Sequence, residues 1–331
     1  MAIDFNALRA RKGTNFDSLQ KKLETTGQTG GAKKDARIWK PVADKQNKSS
    51  NIIRFLPIPF VDLQGVEAGT IKEEDLTPMA KILKHAFQTA NGWYIELSLQ
   101  TFGEPCPIRE HDRPLWGSAK QNKDEPLQKV LKKRIPKTDF YANVLVIKDG
   151  TNPENNGKVM LYQFGETVRK LIEACSKPEF DTDVPFDPFD MWEGADLNLN
   201  LVYEKKKIGE KEALVPSFDN VKWARNAPLL GGNEAEMERV WKEEHSIAEY
   251  YNRKNFKTFD EIKAKFEKAM GGKGASAPAT KNAEEMLNDM TGVSSGTTEA
   301  KEPPSAPAPS TGGSADVPGD DLADFEALLN G

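Results

Sequence analysis

Two cysteines and three histidines are all that 331 residues provide. So few thiols exclude the disulfide framework of a small secreted scaffold, and leave Cys106 and Cys175 as reduced thiols by default. A tetrahedral zinc site needs four donors, usually thiolates and imidazoles, and only His85, Cys106 and His111 lie near one another in sequence. The expectation is no cofactor and no metal. No apolar run reaches the length that spans a bilayer, and Met1-Ala-Ile-Asp-Phe5 lacks the charged and apolar regions of a secretory leader. This predicts a cytosolic-type chain without a membrane partner. Also missing are a Walker A loop, a dinucleotide-type glycine pattern after a strand, HExxH and CxxC. No histidine sits at a family spacing from a serine or cysteine nucleophile. The sequence gives no grounds for an enzyme, although scattered Asp and Glu keep a metal-dependent nuclease as an alternative.

What is present is charge, unevenly placed. Apolar residues make up 37%, charged residues 29%, and the mean hydropathy is -0.63, a balance that predicts a folded body with polar extensions. The net charge is -5. From residue 271 to the end there are 3 basic and 10 acidic residues, a net of -7, whereas residues 1 to 40 hold 9 basic against 4 acidic. A basic head and an acidic tail are hidden in the average. Three segments follow: a basic arm over residues 1–50, a body over 51–271, and a linker with an acidic end over 272–331. The arm carries the cationic patch Arg9, Arg11, Lys12, Thr14. The linker is rich in Ala, Pro, Ser and Gly, and the tail places Leu322, Phe325, Leu328 and Leu329 on one side if it becomes helical.

Within the body, Ile52–Leu56, Trp93–Leu97, Tyr141–Ile147, Lys158–Phe164 and Leu197–Tyr203 are rich in β-branched and aromatic residues and read as strands. Leu197, Leu199 and Leu201 alternate with Asn198, Asn200 and Val202, which predicts one wet face. Glu166–Ser176 has helical spacing and puts Cys175 on its apolar face, a core position rather than a reactive one. Thr258-Phe-Asp-Glu261 is a capping box, followed by Ile262, Phe266 and Met270 at helical spacing and Gly271 as a stop. The fold class is therefore mixed β with added helices.

The strongest functional signal is Lys120–Lys137, "KQNKDEPLQKVLKKRIPK", with seven basic and two acidic residues. It runs directly into Phe140 and Tyr141, whose side chains point to opposite faces if the segment is a strand. One ring is expected in the core and the other on an open sheet face beside the cations. That combination suits single-stranded nucleic acid, whose backbone follows the charges while its bases stack on aromatic rings. The alternative is two core rings behind a solvated charge run, in an interaction protein that binds no nucleic acid.

Several segments together resemble the helix-destabilising, single-stranded-DNA-binding proteins of T-even-type phages: Ile52–Pro57, His85–Glu96, Lys137–Phe164, Met191–Ala195, the capped helix "KNFKTFDEIKAKFEKAMGG" and the acidic ending "DDLADFEALLN". They occur in family order over nearly the whole length. The resemblance implies an OB-fold core with a flexible basic N-terminal arm for contact between neighbouring copies and an acidic C-terminal tail for replication and recombination proteins. It implies single-stranded DNA as partner, in the cytoplasm of the infected bacterial host. By position, Phe140 and Tyr141 match an aromatic pair of the family's cleft, Tyr162 another cleft aromatic, and Phe218 a further one. Lys132, Lys133, Arg134 and Lys137 lie where the family is basic, the run from Lys129 to Lys137 is expected to contact phosphate, and Arg9, Arg11, Lys12 and Thr14 resemble the family's arm motif. Asp320, Asp321, Asp324, Phe325 and Glu326 fall in the partner-binding tail. The family's zinc site uses one His and three Cys; His85 and Cys106 match, but Ser98 and Arg109 stand at the other two positions, with His111 the remaining candidate donor.

Overall fold

The computed structural model describes residues 35–178, 180, 184–208 and 211–271. These form eight strands: β1 (Ile38–Trp39), β2 (Lys48–Phe55), β3 (Met79–Thr89), β4 (Gly92–Leu97), β5 (Lys137–Asp149), β6 (Val159–Phe164), β7 (Leu197–Ile208) and β8 (Lys211–Trp223). Six α-helices accompany them: α1 (Phe60–Glu67), α2 (Pro107–Gln121), α3 (Glu125–Arg134), α4 (Glu166–Ser176), α5 (Glu234–Lys242) and α6 (Phe259–Ala269). No helix among the described residues is long and apolar enough to cross a membrane.

All strands belong to one mixed sheet in the order β1-β6-β5-β2-β7-β8, with β3 attached to β5 and carrying β4. β5 organises it. Its first half pairs with β3, Lys137 to Ala142, and its second half with β2, Val144 to Asp149. Its other edge takes β6 over Phe140–Leu145. Pairing is antiparallel throughout except for β1 against β6. The sheet draws in residues before position 51: Trp39 is in the core and β2 starts at Lys48.

The expected faces appear. Leu197, Leu199 and Leu201 are buried while Asn198, Asn200 and Val202 are half-buried, so β7 turns its leucines onto the core. There they join Phe55, Phe140, Val144, Tyr162, Phe164 and Phe189, against which α4 lays Val168 and Ile172. Cys175 is buried, and burial pushes its thiol up to about 12, as a core role requires. α6 begins with the reciprocal Thr258–Glu261 capping box and ends at Gly271, whose φ of 105° suits a residue without Cβ.

The Met191–Ala195 segment has a packing reason for its glycine. The buried Arg54 guanidinium donates to the Asp190 and Ala227 carbonyls at 2.9 and 3.0 Å and pairs with Asp196 at 3.2 Å. A methyl group at Gly194 would stand 2.4 and 2.9 Å from the Asp190 and Asp187 carbonyl oxygens, closer than Cβ atoms approach backbone, and 3.0 Å from that guanidinium. The chain closes around Arg54 only because residue 194 has no side chain.

Candidate nucleic-acid interface

The basic run folds as a helix. Asp124 caps α3 by accepting from the Leu127 backbone N–H at 3.0 Å, and Pro126 sits in the first turn, where its missing N–H costs nothing. Lys129, Lys132 and Lys133 recur at helical spacing on the exposed side, while Leu131 is fully buried opposite them. None of the three lysines has an ion-pair partner among the described residues. Three positive charges therefore share one open face, four residues ahead of β5.

Arg134 is not part of that face, which corrects the expectation that it contacts phosphate. It points inward, 11% exposed, and pairs with Asp112 of α2 at 2.9 Å. Its guanidinium also lies over the Phe87 and Phe266 rings, 5.9 and 5.8 Å from their centroids. The reason is angular: on a helix, the residue after Lys133 turns a further 100° toward the core side.

The aromatics need a second correction. Phe140 is fully buried and stacks on Phe164, and Tyr162 is buried between Trp39, Phe55 and Phe164. Burial holds the Tyr162 phenol far above its usual range. Neither ring can meet a base in this arrangement. Tyr141 does point to the opposite face, as alternation requires, but that face is not open. A strap from Glu244 to Tyr251 crosses it, and Tyr250 stacks on Tyr141 with ring centroids 4.3 Å apart. The Asp62 carboxylate accepts from the Ile247 and Ala248 N–H groups, and Asn143 of β5 exchanges two hydrogen bonds with the His245 backbone. Tyr141 remains half-buried, and so does Phe218 on β8, packed at the margin of the main core. Lys137 is exposed at the start of β5.

Sequence reasoning missed two further sets of cations. Lys84 on β3 faces Lys137 across the ladder, but β3 was not foreseen. Lys205 and Lys206 are exposed where β7 and β8 run on together past the end of β2. Two runs containing β-branched and aromatic residues, Leu197–Tyr203 and Leu214–Val221, on either side of Gly209-Glu210 are the sequence signal for this ribbon.

A sequence profile described as "gp32 DNA binding protein like" matches residues 47–270, from β2 to the end of α6. The chain belongs to the gp32-like DNA-binding family. It is 27% identical over 271 residues to the "Single-stranded DNA-binding protein" of Enterobacteria phage T4, covering 80% of this chain and 81% of that one. Against the protein of the same description from Enterobacteria phage T2 the identity is 28% over 274 residues, with the same coverage. The matched residues of this gp32-like chain include α3, both ends of the β3–β5 ladder and the strap.

The zinc that the resemblance implied does not fit this donor set. His85 Nδ1 lies 2.7 Å from the Arg134 carbonyl, which can only accept, so Nδ1 carries the proton and Nε2 the lone pair. That lone pair meets Cys106 Sγ at 3.3 Å. Burial lowers the His85 pKa to about 4, keeping the imidazole neutral. Here the posture of a ligand pair survives, but Ser98 caps a turn by accepting from Gln100 N–H, and arginine has no lone pair to give. His111 is engaged elsewhere, with Asp112 and the Phe266 ring. Among the described residues no three His, Cys, Asp or Glu side chains converge as metal donors. Arg9, Arg11, Lys12, Thr14, Asp320, Asp321, Asp324, Phe325 and Glu326 all lie outside the described residues.

Proposed function

We propose that this gp32-like protein is a non-catalytic coat for single-stranded DNA, with the exposed α3 lysines as its phosphate track. The observation that carries this is the face of Lys129, Lys132 and Lys133, unpaired and leading into Lys137, within a family whose relatives bind single-stranded DNA. Phe218, half-buried at the margin of the main core, is the ring candidate for stacking, Tyr141 being already stacked on Tyr250. The mixed sheet around β5 supports an OB-fold-type core. The basic arm, through Arg9, Arg11, Lys12 and Thr14, joins neighbouring copies into a cooperative filament. The acidic end, through Asp320, Asp321, Asp324, Phe325 and Glu326, recruits replication and recombination proteins, its charge being opposite to that of arm and track. Such a protein serves phage DNA replication, recombination and repair in the cytoplasm of the infected bacterium.

The test is a titration of labelled oligo-dT and of duplex DNA at two salt concentrations. Preference for the single strand, with affinity falling steeply as salt rises, is the expected result. Absence of binding to either would leave an interaction scaffold as the reading, and shortening of the labelled strand with added magnesium would point to a nuclease.

The coat works without zinc, because the His85–Cys106 contact is a hydrogen bond inside the cluster of Phe87, Tyr94, Leu99 and Phe266 rather than half of a metal site. Dialysis against a strong chelator is accordingly expected to leave the melting temperature and the oligo-dT affinity unchanged. A drop of several degrees, reversed by added zinc, would refute this.

A further inference from the structure

Residues directly opposite in an antiparallel ladder share a face at close range, and like charges placed there repel. The β3–β5 register sets Lys84 directly opposite Lys137. Asp139, two residues along β5 and so on the same face, pairs with Lys84, and the two side chains are only 18% and 17% exposed. Lys137 is exposed and has no ion-pair partner among the described residues. Its pKa is lowered by partial desolvation and then by Lys84, with Asp139 opposing. Two cations and one carboxylate thus occupy one patch of sheet, leaving an uncompensated positive charge that has already lost part of its water.

Nothing in the packing demands this. A ladder position at the mouth of a sheet takes Thr or Gln without repulsion, and neighbouring pairs on the same strands, Ile82 with Asp139 and Ala80 with Tyr141, carry no like charges. An anion between the two ammonium groups relieves the repulsion. The α3 lysines end four residues before Lys137, so a backbone held on them delivers its next phosphates to this patch.

We propose that Lys84 and Lys137 form a seat for one phosphate of a single strand, partly occupied by the Asp139 carboxylate until that phosphate arrives. The seat rests on the reading of the protein as a single-strand binder, and adds Lys84 to its contacts and Asp139 as an internal competitor.

The experiment is a fluorescence-anisotropy titration of labelled oligo-dT against the full chain, as wild type, Lys137→Met and Asp139→Asn, over a series of salt concentrations. Lys137→Met is expected to bind several-fold more weakly at low salt, with a log–log salt slope shallower by about 0.7, the value of one lost phosphate contact on a single strand. Asp139→Asn is expected to bind more tightly, because the competing charge is gone while its shape is kept. A purely structural Asp139 would give weaker binding or none of this change. Wild-type affinity and slope in Lys137→Met, or weakened binding by Asp139→Asn in a variant that melts like wild type, would overturn the seat. Should Lys137→Met fail to fold, the direction of the Asp139→Asn change decides alone. If the wild type itself fails to bind oligo-dT, the broader reading fails instead, which the same titration registers separately.

Discussion

Replacing Lys129, Lys132 and Lys133 together by alanine is expected to weaken oligo-dT binding on the order of a hundredfold at low salt. The log–log salt slope should become shallower by about 2, since each phosphate contact on a single strand contributes about 0.7. The loss should be uniform across base sequences, because these side chains meet the backbone and read nothing. Stability should change little. All three positions are exposed, no ion pair among the described residues is broken, and alanine is at least as good a helix former as lysine. Unchanged affinity and slope in a variant with a wild-type melting curve would remove α3 from the interface.

Arg134→Ala should do the reverse. Removing one partner of a buried pair leaves the other charge without compensation, a loss of about 3–5 kcal/mol. Among the described residues Asp112 would then keep only the partly exposed His111 as an ion-pair partner, and the Phe87 and Phe266 rings would lose the guanidinium packed over them. A large fall in the denaturation midpoint is expected, with oligo-dT affinity of the folded fraction near wild type. Neighbouring cations of one run would then separate cleanly, Lys133 affecting binding and Arg134 affecting folding. A variant that folds normally and binds weakly would return Arg134 to the DNA surface.

The parts of this fold legible in the sequence are those where a local rule acts alone. Alternation placed the β7 leucines, the Thr258–Glu261 box placed the start of α6, and apolar spacing placed α4 at its observed ends. α2 and α3 went unseen because few of their residues are apolar and Pro114 interrupts the α2 pattern, while a single fully buried residue, Leu131, anchors α3 and Val130 beside it is exposed. β3 reads ambiguously because its ends are covered by different elements: Phe87 meets α6, whereas Ile82 meets the strap.

The rings of β5 were misjudged for a related reason. Adjacent residues on a strand face opposite ways, and that much held for Phe140 and Tyr141. Whether a face is wet depends on what covers it, and the cover here comes from about 110 residues downstream, as the sequence interval from Tyr141 to Tyr250 shows. No local pattern in β5 announces it. Of the cations, Lys129, Lys132, Lys133 and Lys137 were legible as charge, but their sorting from Arg134 required the helix and its register to be known.

β5 also constrains how this chain can vary in length. Over Phe140 to Leu145 it is hydrogen-bonded on both edges, to β6 on one side and to β3 and then β2 on the other. An inserted residue there would throw every following side chain onto the wrong face against two sets of neighbours simultaneously, with no free margin to bulge into. Gains and losses of residues between homologous chains are therefore expected outside this stretch, which acts as the fixed ruler from which the neighbouring strands are measured.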